Sequence, residues 1–376
     1  MNPDLQDTLR MVEEAAAGFA RPDAERARKS RDEHAGFDAD VWKSFADMGW
    51  LAALPPEELG GVALGMEGAA IIAEWLGYGC YTEPYVAAGV MAAQCLLDCP
   101  TGQTRDALVA ALASGEALVT LAWQPAQGSL SPGDCAIVAE QSGETLILDG
   151  QARFVVGGMV ADTILVCARR GDDLLLVAID SGAGDIALTG EVATDGTQLA
   201  VLTLERLPVA ADRVLATGGA AHAALDTGIV AGVLCTGAEL LGLIERMMEI
   251  TQDYLRTRKQ FGKLIGSFQA LQHRAVDMWI QKALTRAALR AAIGVFSDPA
   301  SSADARSSAA SSVKARASQA ALLIAGQSVQ LHGAIGTTDE YELGVYVNRA
   351  LNLASQFGNA AAHRRRFGDL VQVEER

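Results

Sequence analysis

Cationic side chains crowd around a glycine in one stretch of the chain, YLRTRKQFGKLIGSFQALQHRAVDM, which begins at Tyr254 and ends at Met278. The four cations around Phe261-Gly262 are Arg256, Arg258, Lys259 and Lys263. A glycine lets backbone N–H groups approach a ligand, and guanidinium and ammonium groups neutralise phosphate charge. The stretch therefore predicts a site for a pyrophosphate-bearing ligand such as a dinucleotide. The alternative is a solvated, charged turn between two helices.

Two helical patterns flank this turn, and two more follow. The helix after the turn is predicted to begin at Ser267, a common N-cap residue, and to present Gln269 and His273 one turn apart on one face. The predicted helices cover residues 219–256, 267–297, 303–331 and 341–367. Four long antiparallel helices indicate a bundle.

Composition limits the classes of partner. The chain has 376 residues, 50% of them apolar, which is enough for two or three domains with their own cores. A net charge of −16 disfavours binding to nucleic acid or to an anionic membrane. From residue 250 onward, however, 16 Lys and Arg face only 10 Asp and Glu. This local positive charge favours phosphate-bearing ligands in the C-terminal third.

The six cysteines follow no CxxC or Cys/His spacing, so we predict buried, reduced thiols and no metal site. The N-terminus lacks the cationic-then-apolar order of a signal peptide, and no uninterrupted apolar run has the length of a membrane span. These patterns predict a cytoplasmic protein.

Three domains are predicted from the change in periodicity along the chain. Residues 1–115 have helical patterns, residues 116–210 have short β-type runs, and residues 211–376 are helical again. The β-type runs are ALVTLAW, TLILDGQARFVV, DTILVCA, DLLLVAID and QLAVLTLERLPV. Their spacing predicts a small sheet or barrel.

The run RKQFGKLIGSFQALQHRAVDM resembles the signature of the acyl-CoA dehydrogenases. The resemblance implies that Arg258, Phe261 and Gln269 contact an FAD that is bound mainly by a neighbouring subunit. The later run QLHGAIG resembles the family pattern Gln-x-x-Gly-Gly-x-Gly. It implies that Gln330 and the turn at Gly333-Ala334 contact the same FAD.

The resemblance extends over the whole chain and implies its fold. The stretch from Gly49 to Gly77, a turn followed by a helix, matches a family pattern in the N-terminal helical domain, with one extra proline. The implied class is α+β, mostly α: an N-terminal helical domain, a small middle β-barrel and a C-terminal four-helix bundle.

The middle domain diverges where the family faces the flavin. WQPAQGSL, which starts at Trp123, stands where the family has Thr-Glu-Pro-x-Ala-Gly-Ser-Asp, so the implied cofactor contacts include Trp123, Gly128 and Ser129. Phe154 and Val156 stand in the place of a Trp-Ile-Thr strand. Phe154 either packs on the flavin ring or fills the barrel, and Val156 cannot supply the threonine hydroxyl.

The family's catalytic base is absent. The family removes an α-proton with a Glu carboxylate while a β-hydride passes to the flavin. That Glu occurs in one of two places, which here hold Gly232 and Gly358. Glu239 lies two helical turns beyond Gly232, about 10 Å along the axis, which is too far for proton transfer. No catalytic residue is predicted, and Glu239 is expected to pair with a neighbouring helix.

The resemblance therefore implies an FAD-dependent acyl-CoA dehydrogenase subunit without a base of its own. Its implied partners are an acyl-CoA substrate, a homologous Glu-bearing subunit in a heterotetramer, and electron-transfer flavoprotein or a similar acceptor. Bulky, steroid-like acyl groups are the expected substrates. Two alternatives remain: a homo-oligomer with altered chemistry, as in desulfinase relatives, and a catalytically silent structural subunit.

Overall fold

The computed structural model describes residues 3–374 and divides into two compact units. The first unit combines Met1–Arg31, Ala70–Tyr81 and Leu234–Arg376, and the second combines Asp32–Ala69 and Thr82–Val233.

The first unit is a helical bundle. Its elements, some of which continue into the second unit, are α1 (Pro3–Phe19), α2 (Ala24–Glu33), α4 (Gly65–Tyr78), α7 (Gly218–Thr257), a short hairpin of β9 (Lys259–Gln260) and β10 (Lys263–Leu264), α8 (Gln269–Ser297), α9 (Ala303–His332), α10 (Leu343–Ser355) and α11 (Ala360–Glu374). Helix α9 packs against α8, α10 and α11. Its buried positions are mostly Ala and Ser, which allow neighbouring helices to approach closely.

The apolar core of this bundle follows one side of α7. Leu240, Leu243, Ile244 and Met247 are fully buried and pack with residues of α9 and α10. Helix α7 is long and apolar enough to cross a membrane by length and composition, but 94% of its most apolar window is buried within the protein. Core helices of globular proteins have the same properties.

The second unit contains an eight-stranded sheet. Its strands are β1 (Val119–Ala122), β2 (Val138–Ser142), β3 (Thr145–Val156), β4 (Thr163–Arg170), β5 (Asp173–Asp180), β6 (Ile186–Val192), β7 (Gln198–Val209) and β8 (Val214–Thr217). The order is β6-β7-β3-β2-β4-β5-β8, and β1 pairs with β4 in parallel. Strands β2 and β4 meet through one parallel pair, Val138↔Arg169, which joins two four-stranded halves.

The helices of the second unit are α3 (Ala39–Asp47), a π-helix (Val86–Ala92), α5 (Ala93–Leu97), α6 (Gln103–Ser114) and the start of α7. The π-helix is buried throughout. A seven-residue π-helix is rare and marks a local departure from ordinary helix packing.

The predicted fold class is confirmed: helices, then a sheet, then helices. Strands β3, β5 and β7 have the predicted bounds. Each coincides with a run that is rich in Leu and β-branched residues, in which apolar residues either alternate with polar ones or are continuous. All six cysteines are free and buried, as predicted.

Candidate cofactor and substrate site

The cationic stretch of the first unit forms a β-hairpin. Strands β9 and β10 pair Lys263 with Gln260 and Leu264 with Lys259, leaving Phe261-Gly262 as a two-residue loop. Both loop residues have positive φ, +53° for Phe261 and +81° for Gly262. This is the pattern of a type I′ turn, which matches the twist of the flanking strands.

Phe261 is unusual at such a position. A left-handed conformation costs a bulky residue free energy, and residues held there cluster at functional sites. Its side chain is nevertheless 86% exposed. It touches Phe268 edge-on, with the ring centroids 6.3 Å apart, and the Lys263 ammonium lies 4.2 Å from the centroid of the Phe268 ring. A strained, exposed aromatic at a hairpin tip indicates a ligand or partner surface.

The neighbouring polar groups are also available. Arg258, Gln269 and Gln330 are exposed, and within residues 3–374 no side-chain hydrogen bond or ion pair occupies them. The nearby Arg256 differs, because it lies 3.4 Å from the Asp253 carboxylate. One prediction is wrong here: α8 begins at Gln269 with Phe268 as its N-cap. The hydroxyl of Ser267 instead donates to the Leu264 carbonyl at 2.7 Å, within the turn that closes the hairpin.

An aromatic stack joins the hairpin to the end of α9. The Tyr254 ring, at the base of the hairpin, stacks on His332 with a centroid distance of 4.4 Å. Burial lowers the pKa of His332, so the ring is neutral, and Nδ1–H donates to the Ser328 carbonyl at 2.8 Å. His332 thus positions the turn that follows it.

That turn is the one predicted to meet the cofactor. Gly333 has φ +67° and ψ −145°, a conformation available essentially only to glycine, and no atom lies within 4 Å of where its Cβ would be. Ala334 follows it and is also exposed. The structure therefore gathers all six predicted contacts of this unit near one end of the bundle: Arg258, Phe261, Gln269, Gln330, Gly333 and Ala334.

Two hydrogen bonds through Gln124, one from the backbone and one from the side chain, connect the predicted contacts of the second unit. The Arg153 N–H donates to the Gln124 carbonyl at 2.7 Å, and the Gln124 side chain donates to the Ser129 carbonyl at 2.8 Å. These bonds join the loop that contains Gly128 (φ +89°) to strand β3. Trp123 is buried, at 3% exposure, and anchors the start of the loop.

A bulge in β3 directs Phe154. The register between β3 and β7 shifts between Ala152 and Val155, and Phe154 within this shift has φ +57°. The Arg153 guanidinium carbon lies 4.9 Å from the centroid of the half-buried Phe154 ring, and Arg153 also pairs with Glu191 at 2.6 Å. Val156 accepts a hydrogen bond through its carbonyl from the Thr120 hydroxyl at 2.6 Å.

The first of the two positions where the family has its base is tightly packed. Gly232 lies in α7, and a Cβ added there would meet Met91 Cε at 2.4 Å and Met91 Cβ at 3.1 Å. Met91 belongs to the buried π-helix. A neighbouring glycine one turn earlier, Gly228, is equally close to Cys95. Met91 therefore fills the space that the missing side chain would occupy, so Gly232 opens no cavity.

The second position interrupts the predicted fourth helix. The predicted helix over 341–367 is wrong, because α10 ends at Ser355 and α11 begins at Ala360. Phe357 and Gly358 have φ of +54° and +103°, which an α-helix cannot accommodate. Gly358 thus stands in a sharp turn between two helices.

A buried lysine holds this turn. Lys314 on α9 is completely buried and donates to Gly358 O at 2.8 Å, Ser318 Oγ at 3.1 Å and Ala354 O at 3.3 Å. Burial lowers its pKa to about 7. The sequence carries only a weak signal for this role: the residues three and four positions away on either side of Lys314 are all Ala or Ser.

His363 supports the same turn from α11. Its Nε2–H donates to the Phe357 carbonyl at 2.9 Å, and Nδ1 accepts from the Ser311 hydroxyl at 3.2 Å. Burial, assisted by the charge of Lys314, lowers the pKa of His363 to about 3. The ring is therefore neutral and structural.

Glu239 pairs with a neighbouring helix, as predicted. Arg349 on α10 donates to its Oε1 from Nε at 3.1 Å and from Nη2 at 2.6 Å. Both side chains are buried. A carboxylate held by a buried guanidinium is stabilised in its charged form and is a weak proton acceptor.

The donor set of the first unit fits an FAD. A free guanidinium and two free amides suit the pyrophosphate and the adenine edge, an exposed aromatic suits a ring face, and an open glycine turn admits a close backbone approach. FAD, when bound, supplies the hydride acceptor. The residues of this chain that would hold FAD would orient it and neutralise its charge. Neither of the two family base positions supplies a proton acceptor.

Two sequence families match this chain. The acyl-CoA dehydrogenase N-terminal domain matches residues 6–116, and the acyl-CoA dehydrogenase C-terminal domain matches residues 218–370. The chain belongs to the acyl-CoA dehydrogenase family, whose members are FAD-binding oxidoreductases that act on acyl-CoA.

Individual relatives cover nearly the whole chain. Acyl-CoA dehydrogenase IpdE2 of Mycobacterium tuberculosis is 31% identical over 93% of this chain and 91% of its own length. Acyl-CoA dehydrogenase FadE27 of the same organism is 28% identical over 96% of this chain and 95% of its own length.

Two solved structures illustrate the same fold. A variant of the Tcur3481-Tcur3483 steroid ACAD matches with a TM-score of 0.88 and 25% identity, covering 99% of each chain. The ChsE4-ChsE5 complex from Mycobacterium tuberculosis matches with a TM-score of 0.85 and 26% identity, covering 99% of this chain and 98% of the other.

Proposed function

We propose that this chain is the subunit without a catalytic Glu in a heteromeric, FAD-dependent acyl-CoA dehydrogenase that desaturates bulky, steroid-like acyl-CoA esters. The partner is a homologous subunit that carries the Glu. Electron-transfer flavoprotein or a similar acceptor reoxidises the flavin, and the assembly works in the cytoplasm.

One observation carries the proposal. Neither family base position holds a carboxylate, and each is closed by other residues: Met91 packs against Gly232, and Lys314 binds the carbonyl of Gly358. At the first position a carboxylate would not fit without displacing Met91. At the second, an added acid would lie in a turn that a buried ammonium already holds. The chain thus lacks a base at two sites by packing as well as by sequence.

The residues predicted to contact the cofactor argue against the alternative that this chain is a silent structural subunit. Phe261 keeps a strained and exposed conformation, and Arg258 keeps a guanidinium with no partner among the described residues. A purely structural subunit gains nothing from either feature, because strain costs stability. The pattern is that of a chain which contributes to an FAD site while another chain contributes the base.

The relatives support the assembly and the substrate class. One similar structure is a complex of two components, ChsE4 and ChsE5, and another is described as a steroid ACAD. The preference for a bulky acyl group is a more specific proposal than the heteromeric assembly.

The test is co-expression of this chain with a homologous chain that bears the family Glu. Size-exclusion chromatography should give one mixed oligomer with bound FAD, and dye-coupled oxidation should be faster with a steroid-CoA than with butyryl-CoA. Replacing the partner's Glu should lower turnover by two to four decades or more, the range of a lost general base.

Three results would contradict parts of this proposal. A yellow, fully active homo-oligomer of this chain alone would remove the heteromer. Equal rates on butyryl-CoA and steroid-CoA would remove the bulky-substrate preference. A mixed oligomer whose FAD content and turnover do not respond to changes in this chain's Arg258 and Phe261 would make it a silent structural subunit.

A further inference from the structure

Two of the six buried cysteines lie against each other in the second unit. Cys135 ends the 3-10 turn Pro132–Asp134 that leads into β2, and Cys167 lies in the middle of β4. The backbone N–H of Cys135 and the thiol of Cys167 both donate to the carbonyl of Pro132, at 3.2 Å and 3.5 Å. The Cys167 thiol and the Cys135 backbone therefore share one acceptor, which brings the two cysteines side by side.

The turn that carries Cys135 lies beside strand β4, because the Cys167 thiol donates to the Pro132 carbonyl of that turn. Strands β2 and β4 are parallel neighbours through Val138↔Arg169, so Cys135 and Cys167 stand three and two residues before this pair. The backbone N–H of Arg169 donates to the Ile137 carbonyl at 2.9 Å, which continues the pairing toward the cysteines. Adjacent strands lie about 4.8 Å apart, and a disulfide spans Cα distances of about 4.4–6.8 Å.

The surroundings make the two thiols chemically unequal. The Arg169 side chain donates to the Gly133 carbonyl in the same turn and lies close to Cys135. The thiol of Cys167 and the charge of Arg169 lower the pKa of Cys135, against opposition from burial and from Asp134. The neighbouring Cys135 thiol, together with burial, raises the pKa of Cys167. Cys135 is 8% exposed whereas Cys167 is fully buried.

We propose that Cys135 and Cys167 form a dithiol site that peroxide oxidises to an intramolecular disulfide. The Cys135 thiolate attacks one oxygen of hydrogen peroxide, the O–O bond breaks, and the displaced hydroxide takes a proton to leave as water. The resulting sulfenic acid is attacked by the Cys167 sulfur, which loses its proton, and a second water leaves. Two thiols are oxidised and one peroxide is reduced to two waters.

The disulfide would anchor the turn before β2 to strand β4. That turn follows directly on the loop between Trp123 and Leu130, whose conformation the Gln124–Ser129 hydrogen bond fixes. Oxidation removes the thiol proton that Cys167 donates to Pro132 and replaces it with a covalent link. The proposal concerns this chain's own thiols and does not depend on the proposed heteromer.

A second cysteine pair in the same unit provides an internal control. Cys95 and Cys99 are four residues apart around the end of α5 and are also close to each other. Burial raises the pKa of both thiols, and no cation lowers that of Cys95. Arg105 lowers the pKa of Cys99, but burial outweighs it, so the pKa of both thiols in this pair is raised, whereas the pKa of Cys135 is lowered.

The experiment uses the native full-length chain with graded hydrogen peroxide, followed by alkylation of the remaining thiols and peptide mass spectrometry. We expect a cross-linked species that joins the Cys135 and Cys167 peptides, lighter by two hydrogens and restored by dithiothreitol. Native alkylation of Cys135 without peroxide should exceed that of Cys95 and Cys99 by roughly tenfold or more, since thiolate content governs the rate.

Variants locate the nucleophile. Cys135→Ser should abolish the cross-link, and Cys95→Ser should leave it unchanged. The wild-type protein alone is decisive if a variant does not fold: Cys135 alkylation no faster than that of Cys95, or a cross-link that joins Cys95 to Cys99 at the same peroxide dose, overturns the proposal. Direct oxidation of Cys135 to sulfinic acid without a cross-link overturns it as well, because Cys167 would then not resolve the sulfenic acid.

Discussion

Arg349 holds Glu239 in a buried ion pair, in which Nε and Nη2 of the guanidinium both donate to the same carboxylate oxygen. The two side chains are only 7% and 6% exposed. Their helices, α10 and α7, are thus linked in the interior of the bundle. The carboxylate two helical turns beyond Gly232 is therefore committed to structure.

Replacing Glu239 with Gln should separate stability from catalysis. Loss of one partner leaves the Arg349 charge buried without compensation, so the free energy of unfolding should fall by about 3–5 kcal/mol. Turnover of the assembled enzyme, measured per bound FAD, should stay nearly unchanged. Denaturant unfolding and dye-coupled oxidation of acyl-CoA check the two halves of this prediction.

A matched control breaks an exposed pair on the same helix. Asp253 and Arg256 are about 70% exposed, so Asp253→Asn should lower the free energy of unfolding by less than about 1 kcal/mol. If Glu239→Gln instead abolishes turnover while FAD and the assembly persist, Glu239 is the base after all.

Substitution of Gly232 with Ala should destabilise the chain. The new Cβ would lie 2.4 Å from Met91 Cε. The Met91 methyl can move, but the Met91 Cβ, 3.1 Å away, must also yield. The overpacking cost of about 1–3 kcal/mol is reduced by the roughly 0.5–1 kcal/mol that a helix gains when Gly becomes Ala, so the net loss should be up to about 2 kcal/mol. In the double variant, Met91→Ala with Gly232→Ala, the loss in free energy of unfolding should be smaller than the sum of the losses in the two single variants. Thermal and denaturant unfolding of the four proteins in this cycle measure the coupling.

The control is a helical glycine in open space. Gly326 lies inside α9 with no atom within 4 Å of its potential Cβ, so Gly326→Ala should stabilise by about 0.5–1 kcal/mol. An unchanged or raised stability of Gly232→Ala would mean that Met91 moves aside freely and that the first base position is open.

Because of Lys314, the free energy of unfolding should depend on pH above neutrality. Its pKa is about 7 in the folded chain because of burial, against an ordinary value of 10.5. Between these values the unfolded chain holds a proton that the folded chain has released. Stability should therefore rise with pH above about 7, by up to about 1.4 kcal/mol per pH unit from this group, and show no such rise below 7.

The Lys314→Met variant isolates this contribution. The difference in unfolding free energy between wild type and variant should change with pH from about 7 upward. Lys282→Met serves as the matched control, because Lys282 is only half-buried and pairs with Glu245 at 2.7 Å. Equal pH profiles for wild type and Lys314→Met would show that Lys314 stays charged throughout, held by its three acceptors.

Long elements with clear periodicity were predictable, and the turns that position the site were less so. Strand β3 and helix α9 match their predicted ranges closely, since each carries a strong apolar or small-residue pattern over many residues. The break at Gly358 was missed, because the apolar spacing runs on through Phe357 and the reason for the break, Lys314, lies 44 residues earlier.

Tertiary packing also decided what the sequence left open. The sequence alone shows that position 232 holds no Glu. It does not show which side chain fills the space that the Glu would occupy. Met91 comes from a π-helix, whose altered periodicity has no simple sequence signal. Likewise, six cysteines without a metal-binding pattern were correctly predicted to be buried, but only the fold pairs Cys135 with Cys167.

Arg258→Ala should weaken retention of FAD. A charge-assisted contact to phosphate contributes about 1.5–3 kcal/mol, which corresponds to roughly one to two decades in affinity. Flavin absorbance of the assembled enzyme after dialysis measures the effect. Arg256→Ala is the control, because Arg256 is already paired with Asp253, and it should retain wild-type flavin. Equal flavin content in both variants would show that Arg258 has no cofactor role.

Phe261→Asn should raise the stability of the isolated chain while it lowers FAD retention by the assembly. Asn tolerates the left-handed conformation that costs a bulky residue roughly 1–2 kcal/mol, and little burial is lost because Phe261 is 86% exposed. Phe357 has nearly the same φ, +54°, but is only 4% exposed. Phe357→Asn should therefore destabilise, since the buried ring contributes about 1.5–3 kcal/mol. A chain that Phe261→Asn stabilises without any loss of flavin would show that the strain at the hairpin tip serves no ligand.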